Sequence, residues 1–169
     1  MAGIKLDQET YEAIEAYHSI IKMLKRNEYV FEQNDENHTV RLTCQTEDLD
    51  INFLFEINKE QQLVQLLSFL PSRFPKEKHS DGVCATVFVN HFLTNGHFYY
   101  DLEGDLIYYK ISNRYSFPQG MNTLLIKNDK IIEYMLKEAQ ETVAMYDHLF
   151  LLLANGDINL NDFINKVIE

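Results

Sequence analysis

Two cysteines, six glycines and three prolines are all that 169 residues contain, and only 15 Lys and Arg stand against 26 Asp and Glu. Each scarcity excludes a class of function. Cys44 and Cys84 lie far apart with no C-x-x-C spacing, so neither a disulfide framework nor a zinc knuckle is supported. Both thiols read as small buried hydrophobes. The glycines are spread along the chain and build neither G-x-x-x-x-G-K nor G-x-G-x-x-G, which removes the phosphate-cradling loops. Cations scattered among carboxylates, with a net charge of -11 and a pI of about 4.9, argue against nucleic-acid binding and against anionic membrane surfaces. No run approaches the ~18 apolar residues of a membrane span. The start, Met1 to Asp7, has neither the basic nor the apolar region of a secretory signal. A cytoplasmic protein is expected, and a basic protein partner is compatible with the charge.

What is present is enough apolar material to fold: 46% hydrophobic and 12% aromatic residues. One α+β domain over residues 1–169 is the reading that length and pattern support. From Gln8 to Arg26, Tyr11, Ile14, Tyr17, Ile20, Ile21 and Leu24 recur at helical spacing, with Asp7 as N-cap and Lys25 and Arg26 at the end. The period then falls to two. Val40, Leu42 and Cys44 alternate, then Leu49, Ile51, Phe53, Phe55 and Ile57, then Leu63 to Leu70, with short polar turns between them. Such spacing predicts an antiparallel meander. Pro71 and Pro75 are expected to break the sheet. A second helix then runs to about Thr94, burying Val83, Cys84, Val87, Phe88, His91 and Phe92, and Asn95-Gly96 stops it. A two-residue turn at Glu103-Gly104 would pair Phe98 with Tyr109 and Tyr99 with Tyr108, placing Phe98, Tyr100, Ile107, Tyr109 and Ile111 on the core face. Asn113 to Gly120 reads as a loop. A long helix follows from about Asn128 to Leu153, and a short one ends the chain. The order is that of helices packed on an antiparallel sheet.

Chemistry finds little footing in this pattern. Asp157 to Asp162 begins like a calcium loop, but Asp162 occupies the glycine position and Ile168 the bidentate glutamate position. A turn with a helix cap at Asn159 fits better. The six histidines form no H-E-x-x-H or H-x-x-x-H pair, and the carboxylates fall on outward faces. No catalytic, metal or cofactor residue is assigned, and a non-enzymatic protein is expected. An enzyme whose site assembles from distant residues would need His, Asp or Cys side chains converging in a pocket. What remains is surface: Tyr99, Tyr108, Tyr115 and Phe117 are the candidate residues of an exposed, partner-binding aromatic patch. The plainer reading is that Tyr99 and Tyr108 only brace the hairpin, a contribution of ~0.2–1 kcal/mol. Leu149 to Leu153 is more apolar than one buried face requires, so either the last helix covers it or a second copy does, as a homodimer.

The stretch from Val89 to Tyr109 resembles the signature of YbjN-like proteins, the class described as bacterial sensory transduction regulators. In that signature an Asn-bearing helix runs into a Gly-x-Phe strand, an Asp-x-x-Gly turn and an aliphatic-aromatic strand. Asn90, Gly96, Phe98, Asp101, Gly104 and Tyr108 fill those positions. The resemblance spans roughly residues 28–153. It implies a fold like that of type III secretion chaperones and a regulator or chaperone-like adaptor that binds another protein without catalysis. The alternative carried by the acidic charge alone is an immunity-type protein that neutralises a basic partner.

Overall fold

The computed structural model describes residues 7–45, 49–115 and 129–169. Helix α1 spans Gln8–Arg26, and the Asp7 carboxylate caps it by accepting the Thr10 N–H at 2.7 Å. That hydrogen bond holds the carboxyl below its usual range. Strands β1 (Phe31–Asn34), β2 (Thr39–Gln45), β3 (Asp50–Asn58) and β4 (Leu63–Arg73) form the expected meander. Helix α2 (His79–Asn90), strands β5 (His97–Asp101) and β6 (Leu106–Arg114), and helices α3 (Asp129–Asn155) and α4 (Leu160–Ile168) follow. All six strands join one antiparallel sheet in the order β1-β2-β3-β4-β6-β5.

Alternation decides which side of this sheet is buried. Val40, Phe55, Leu66 and Ile111 lie in one register row, and Leu42, Phe53, Ser68, Tyr109 and Phe98 in the next; all are buried. Helices α1 and α3 pack on this side, α3 through Ile132, Met135, Ala139, Val143, Tyr146 and Phe150. Phe98 is central, its ring centroid 5.2 Å from Tyr109, 5.8 Å from Tyr146 and 5.2 Å from Phe150. Phe150 in turn meets Phe163 of α4 at 5.3 Å. Helix α4 therefore covers the core-facing side of the apolar run ending α3, while Leu151 stays exposed. A capping box between Asn159 and Asp162 starts α4, as expected of a turn rather than a calcium loop.

Several expectations are corrected. Pro71 does not break the sheet: β4 runs through it to Arg73, and the register against β6 shifts between Phe69 and Arg73, an irregularity that accommodates the missing N–H. The hairpin register is the expected one, but its loop has four residues, Leu102 to Asp105. Strand β6 continues through Arg114, one residue past the expected start of the loop. Helix α2 ends at Asn90 rather than Thr94, and Gly96, at φ +65, initiates β5 instead of stopping the helix.

The inward face of α2 is also not the expected one. Gly82, Ala85, Thr86 and Val89 are buried, while Val83, Cys84, Val87 and Phe92 are exposed. The reason is closeness: a Cβ on Gly82 would lie 2.9 Å from Cδ2 of Tyr100 and 3.0 Å from Cδ1 of Phe74. Only small side chains fit at that approach, so the bulky ones turn outward. Cys84 is accordingly no core thiol, whereas Cys44 is buried and burial pushes its thiol up.

At the end of α2 the Asn90 side chain grips the outer edge of β5. Its Nδ2 donates to Phe98 O at 2.8 Å, and its Oδ1 accepts the Phe98 N–H at 2.7 Å. The amide thus takes the place of one residue pair of a neighbouring strand. Removing it in Asn90→Ala should cost about 2 kcal/mol in urea unfolding, because two backbone groups lose their partners at an edge flanked by a helix. Asn90→Asp, which keeps only the acceptor, should fall between the two.

A second expectation concerns Asp147, buried on α3 with Oδ1 unpartnered. Burial raises its carboxyl above the usual value, with His148 opposing weakly. A carboxyl raised in the folded state favours folding at low pH, and that contribution is lost as pH rises from the ordinary carboxylate value through the folded one. Asp147→Asn should melt higher than the parent at pH 7, and the gap should close on acidification from the raised folded value down to the ordinary carboxylate value.

Candidate functional site

The same alternation that buries one side of the sheet exposes a second set of residues on the other. Register places Glu32, Arg41, Leu54, Leu67, Lys110 and His97 in one row across all six strands. The adjacent row holds Thr43, Asn52, Phe69, Tyr108 and Tyr99. No described helix packs on this side. Leu54, Leu67, Phe69 and Tyr108 are half-buried, and Tyr99 is 43% exposed.

Two hollows indent the β1–β4 part of the face. One, about 690 Å³, is lined by Thr39, Arg41, Leu54, Glu56 and Gln65 among others. The other, about 600 Å³, includes Arg41, Thr43, Asn52, Leu54 and Phe69. Glu32, Arg41 and Leu54 are common to both. Beside them the aromatic rings make a continuous strip. Tyr99 and Tyr108 stack at 5.3 Å with planes 13° apart, and Tyr108 meets Phe69 at 6.0 Å. Burial, then the neighbouring Tyr99, Asp101 and Glu56, push the Tyr108 hydroxyl up, so it stays a neutral donor.

The hairpin that carries Tyr99 and Tyr108 is held from below. Asp101 Oδ1 accepts the N–H groups of Glu103 and Gly104 at 2.9 and 3.1 Å, closing the turn. Gly96 allows the chain to pass Tyr109, whose hydroxyl donates to Asn95 O, and a Cβ there would sit 2.8 Å from Lys110 O. Desolvation pushes the Tyr109 hydroxyl up to about 12. Asn90, Gly96, Asp101 and Gly104 are thus the devices that shape the hairpin, and of the six signature residues only Asp101 and Tyr108 hold outward positions, the Asp101 carboxylate being taken by its own turn.

The four residues expected to form the patch part company. Tyr99 and Tyr108 meet on the open face. Tyr115 does not join them: it is fully buried, its N–H donating to Gln62 O at 3.1 Å and its hydroxyl pushed up by burial and by Glu12 and Glu9 of α1. It belongs with the core because it continues the inward parity of Tyr109 and Ile111. Phe117 lies outside the described residues. Leu54, Leu67 and Phe69 were missed, although they carry a signal: each is apolar at the parity where its strand should turn polar. Among the described residues no three His, Cys, Asp or Glu side chains are grouped to hold a metal ion, and no helix is long and apolar enough to cross a membrane.

No family model and no curated protein matches the sequence. Solved structures do match in fold. A chain of the ExsC-ExsE complex superposes with a TM-score of 0.55 at 10% identity, covering 86% of this chain and 97% of that one. YbjN from E. coli, a candidate transcription regulator, superposes at 0.56 and 11% identity, covering 83% and 92%. The fold implied by the Val89 to Tyr109 signature is the fold found.

If the open-face strip is a surface rather than a second core, its removal should leave the fold standing. Tyr99→Ala with Tyr108→Ala should lose no more than ~1 kcal/mol in urea unfolding. Phe98→Ala, on the adjoining position but the opposite side, should lose ~3–5 kcal/mol.

Proposed function

We propose that this protein is a cytoplasmic, non-enzymatic regulator or chaperone-like adaptor that acts as one unit over residues 1–169 and binds another protein through the open face of its sheet. The observation that carries the reading is the strip Leu54, Leu67, Phe69, Tyr108 and Tyr99, apolar residues grouped on a side that no described helix covers. Contiguous apolar surface of this kind, rimmed by polar groups, is typical of protein contact sites. Tyrosines suit the role because they bring large area with few rotatable bonds. Support also comes from the likeness in fold to a chain solved in a two-protein complex, ExsC-ExsE. Tyr99 and Tyr108 are the partner-binding residues proposed, now together with Leu54, Leu67 and Phe69.

The second reading, an acidic protein that neutralises a basic one, rests on the net charge of -11. The two differ in what salt does. An interface centred on apolar side chains persists at high ionic strength, whereas charge neutralisation weakens steeply. Affinity capture with the parent protein and with Leu67→Asp, each at low and high salt, tests both. Partners retained by the parent at high salt and lost from Leu67→Asp are expected. Equal retention by the two proteins would remove the open face from consideration, and loss from both at high salt would favour the acidic reading.

A further inference from the structure

The open face is not as acidic as the molecule, and the difference bears on what it binds. Across β4, β6 and β5 the outward positions include Leu67 and Phe69, then Tyr108, Lys110, Ser112 and Arg114, then His97 and Tyr99. Arg73, also paired outward opposite Leu106, adds a third fixed cation beyond the bulge. The one carboxylate at an outward position of this half is Asp101, already engaged by the N–H groups of its own turn. The other carboxylates on the face are Glu56 and Asp50 on β3, opposite Gln65 and Gln45, and Glu32 on β1, opposite Arg41. The β4-β6-β5 half thus carries three of the chain's 15 Lys and Arg with one of its 26 Asp and Glu, and Glu56 borders it from β3 near Tyr108.

These cations are uncommitted. Among the described residues the ion pairs are Arg26 with Asp129 and Glu133, His79 with Asp105, and Lys137 with Glu141. Lys110 is half-buried and flanked across the strands by Leu67 and His97. An ammonium held beside apolar surface has part of its hydration removed and gains most from a carboxylate arriving with a partner.

Building on the reading that the open face binds protein, we infer that the β4-β6-β5 half takes an extended segment of a partner protein whose apolar side chains alternate with carboxylates. The apolar residues lie on Leu67, Phe69, Tyr108 and Tyr99, and the carboxylates reach Lys110, Arg114 and Arg73. Such a partner meets two opposed fields. At long range a molecule of net charge -11 repels it, and at contact the local cations attract it. Added salt screens the first more than the second, so association should quicken as ionic strength rises from a low value, the reverse of what a basic partner shows.

Three fluorescent peptides of one length test this, with the same Leu and Phe positions and with Glu, Lys or Ser between them. Anisotropy titrations use the full-length protein, Lys110→Glu and Leu67→Asp, each checked for an unchanged melting temperature. The Glu peptide should bind the parent most tightly, lose roughly tenfold in affinity to Lys110→Glu, and associate faster in moderate than in low salt. A Lys peptide that binds the parent best, or a Glu peptide indifferent to Lys110→Glu, overturns the carboxylate inference. In either case loss of binding in Leu67→Asp leaves the open-face reading standing. Absence of binding by all three peptides, or binding indifferent to Leu67→Asp, overturns both.

Discussion

A strand sends successive side chains to opposite sides, so a sheet covered by helices on one side must show every second residue on the other. Here α1 and α3 supply the cover, and the rows running from Val40 to Ile111 and from Leu42 to Phe98 meet them with no charged side chain. Much of what distinguishes this molecule follows from that one-sidedness. The core is built from one parity of six strands. The other parity is then free to carry residues that folding does not require, and at Leu54, Leu67, Phe69, Tyr99 and Tyr108 it carries apolar ones. An apolar residue on the covered side needs no explanation beyond burial; on the uncovered side it does.

Around this frame, the signature from Asn90 to Tyr108 is largely a set of instructions for making one hairpin and fixing it to a helix. The Asn90 amide, the left-handed backbone at Gly96 and the turn held by Asp101 are each satisfied inside the molecule. A chain can therefore retain such residues while its outward positions diverge. That accords with a likeness to YbjN and to a chain of the ExsC-ExsE complex that is plain in fold at 10–11% identity. A shared architecture at low sequence identity is what this division of labour permits.

Much of the architecture was legible because it rests on local periodicity. The bounds of α1, the alternation in β2 and β3, the register of the hairpin and the cap at Asn159 are all set by residues within a few positions of one another. The failures share a different cause. The inward face of α2 depends on how near Tyr100 and Phe74 come to Gly82, a distance that no residue of the helix encodes. Size pattern alone selected the bulkier face, and proximity selected the smaller one. Pro71 was read by its usual effect on a regular ladder, while β4 meets it at an irregularity. Two of the five residues of the candidate site were visible, Tyr99 and Tyr108. The rest was hidden because Leu54, Leu67 and Phe69 look like core until the cover is known to be one-sided, and Tyr115 was drawn into the patch because the length of β6 was underestimated.

The hold of Asn90 on Phe98 has a further consequence, for the number of neighbours a molecule can accept. A sheet with two bare edges can add strands at both and grow without limit. In this protein the β5 edge is occupied by α2 and its terminal amide, and the other outermost strand, β1, is only four residues long. Edge-to-edge pairing between copies is thereby confined to a single short strand on each. With a valence of one, such pairing closes at two molecules and cannot propagate into a fibre.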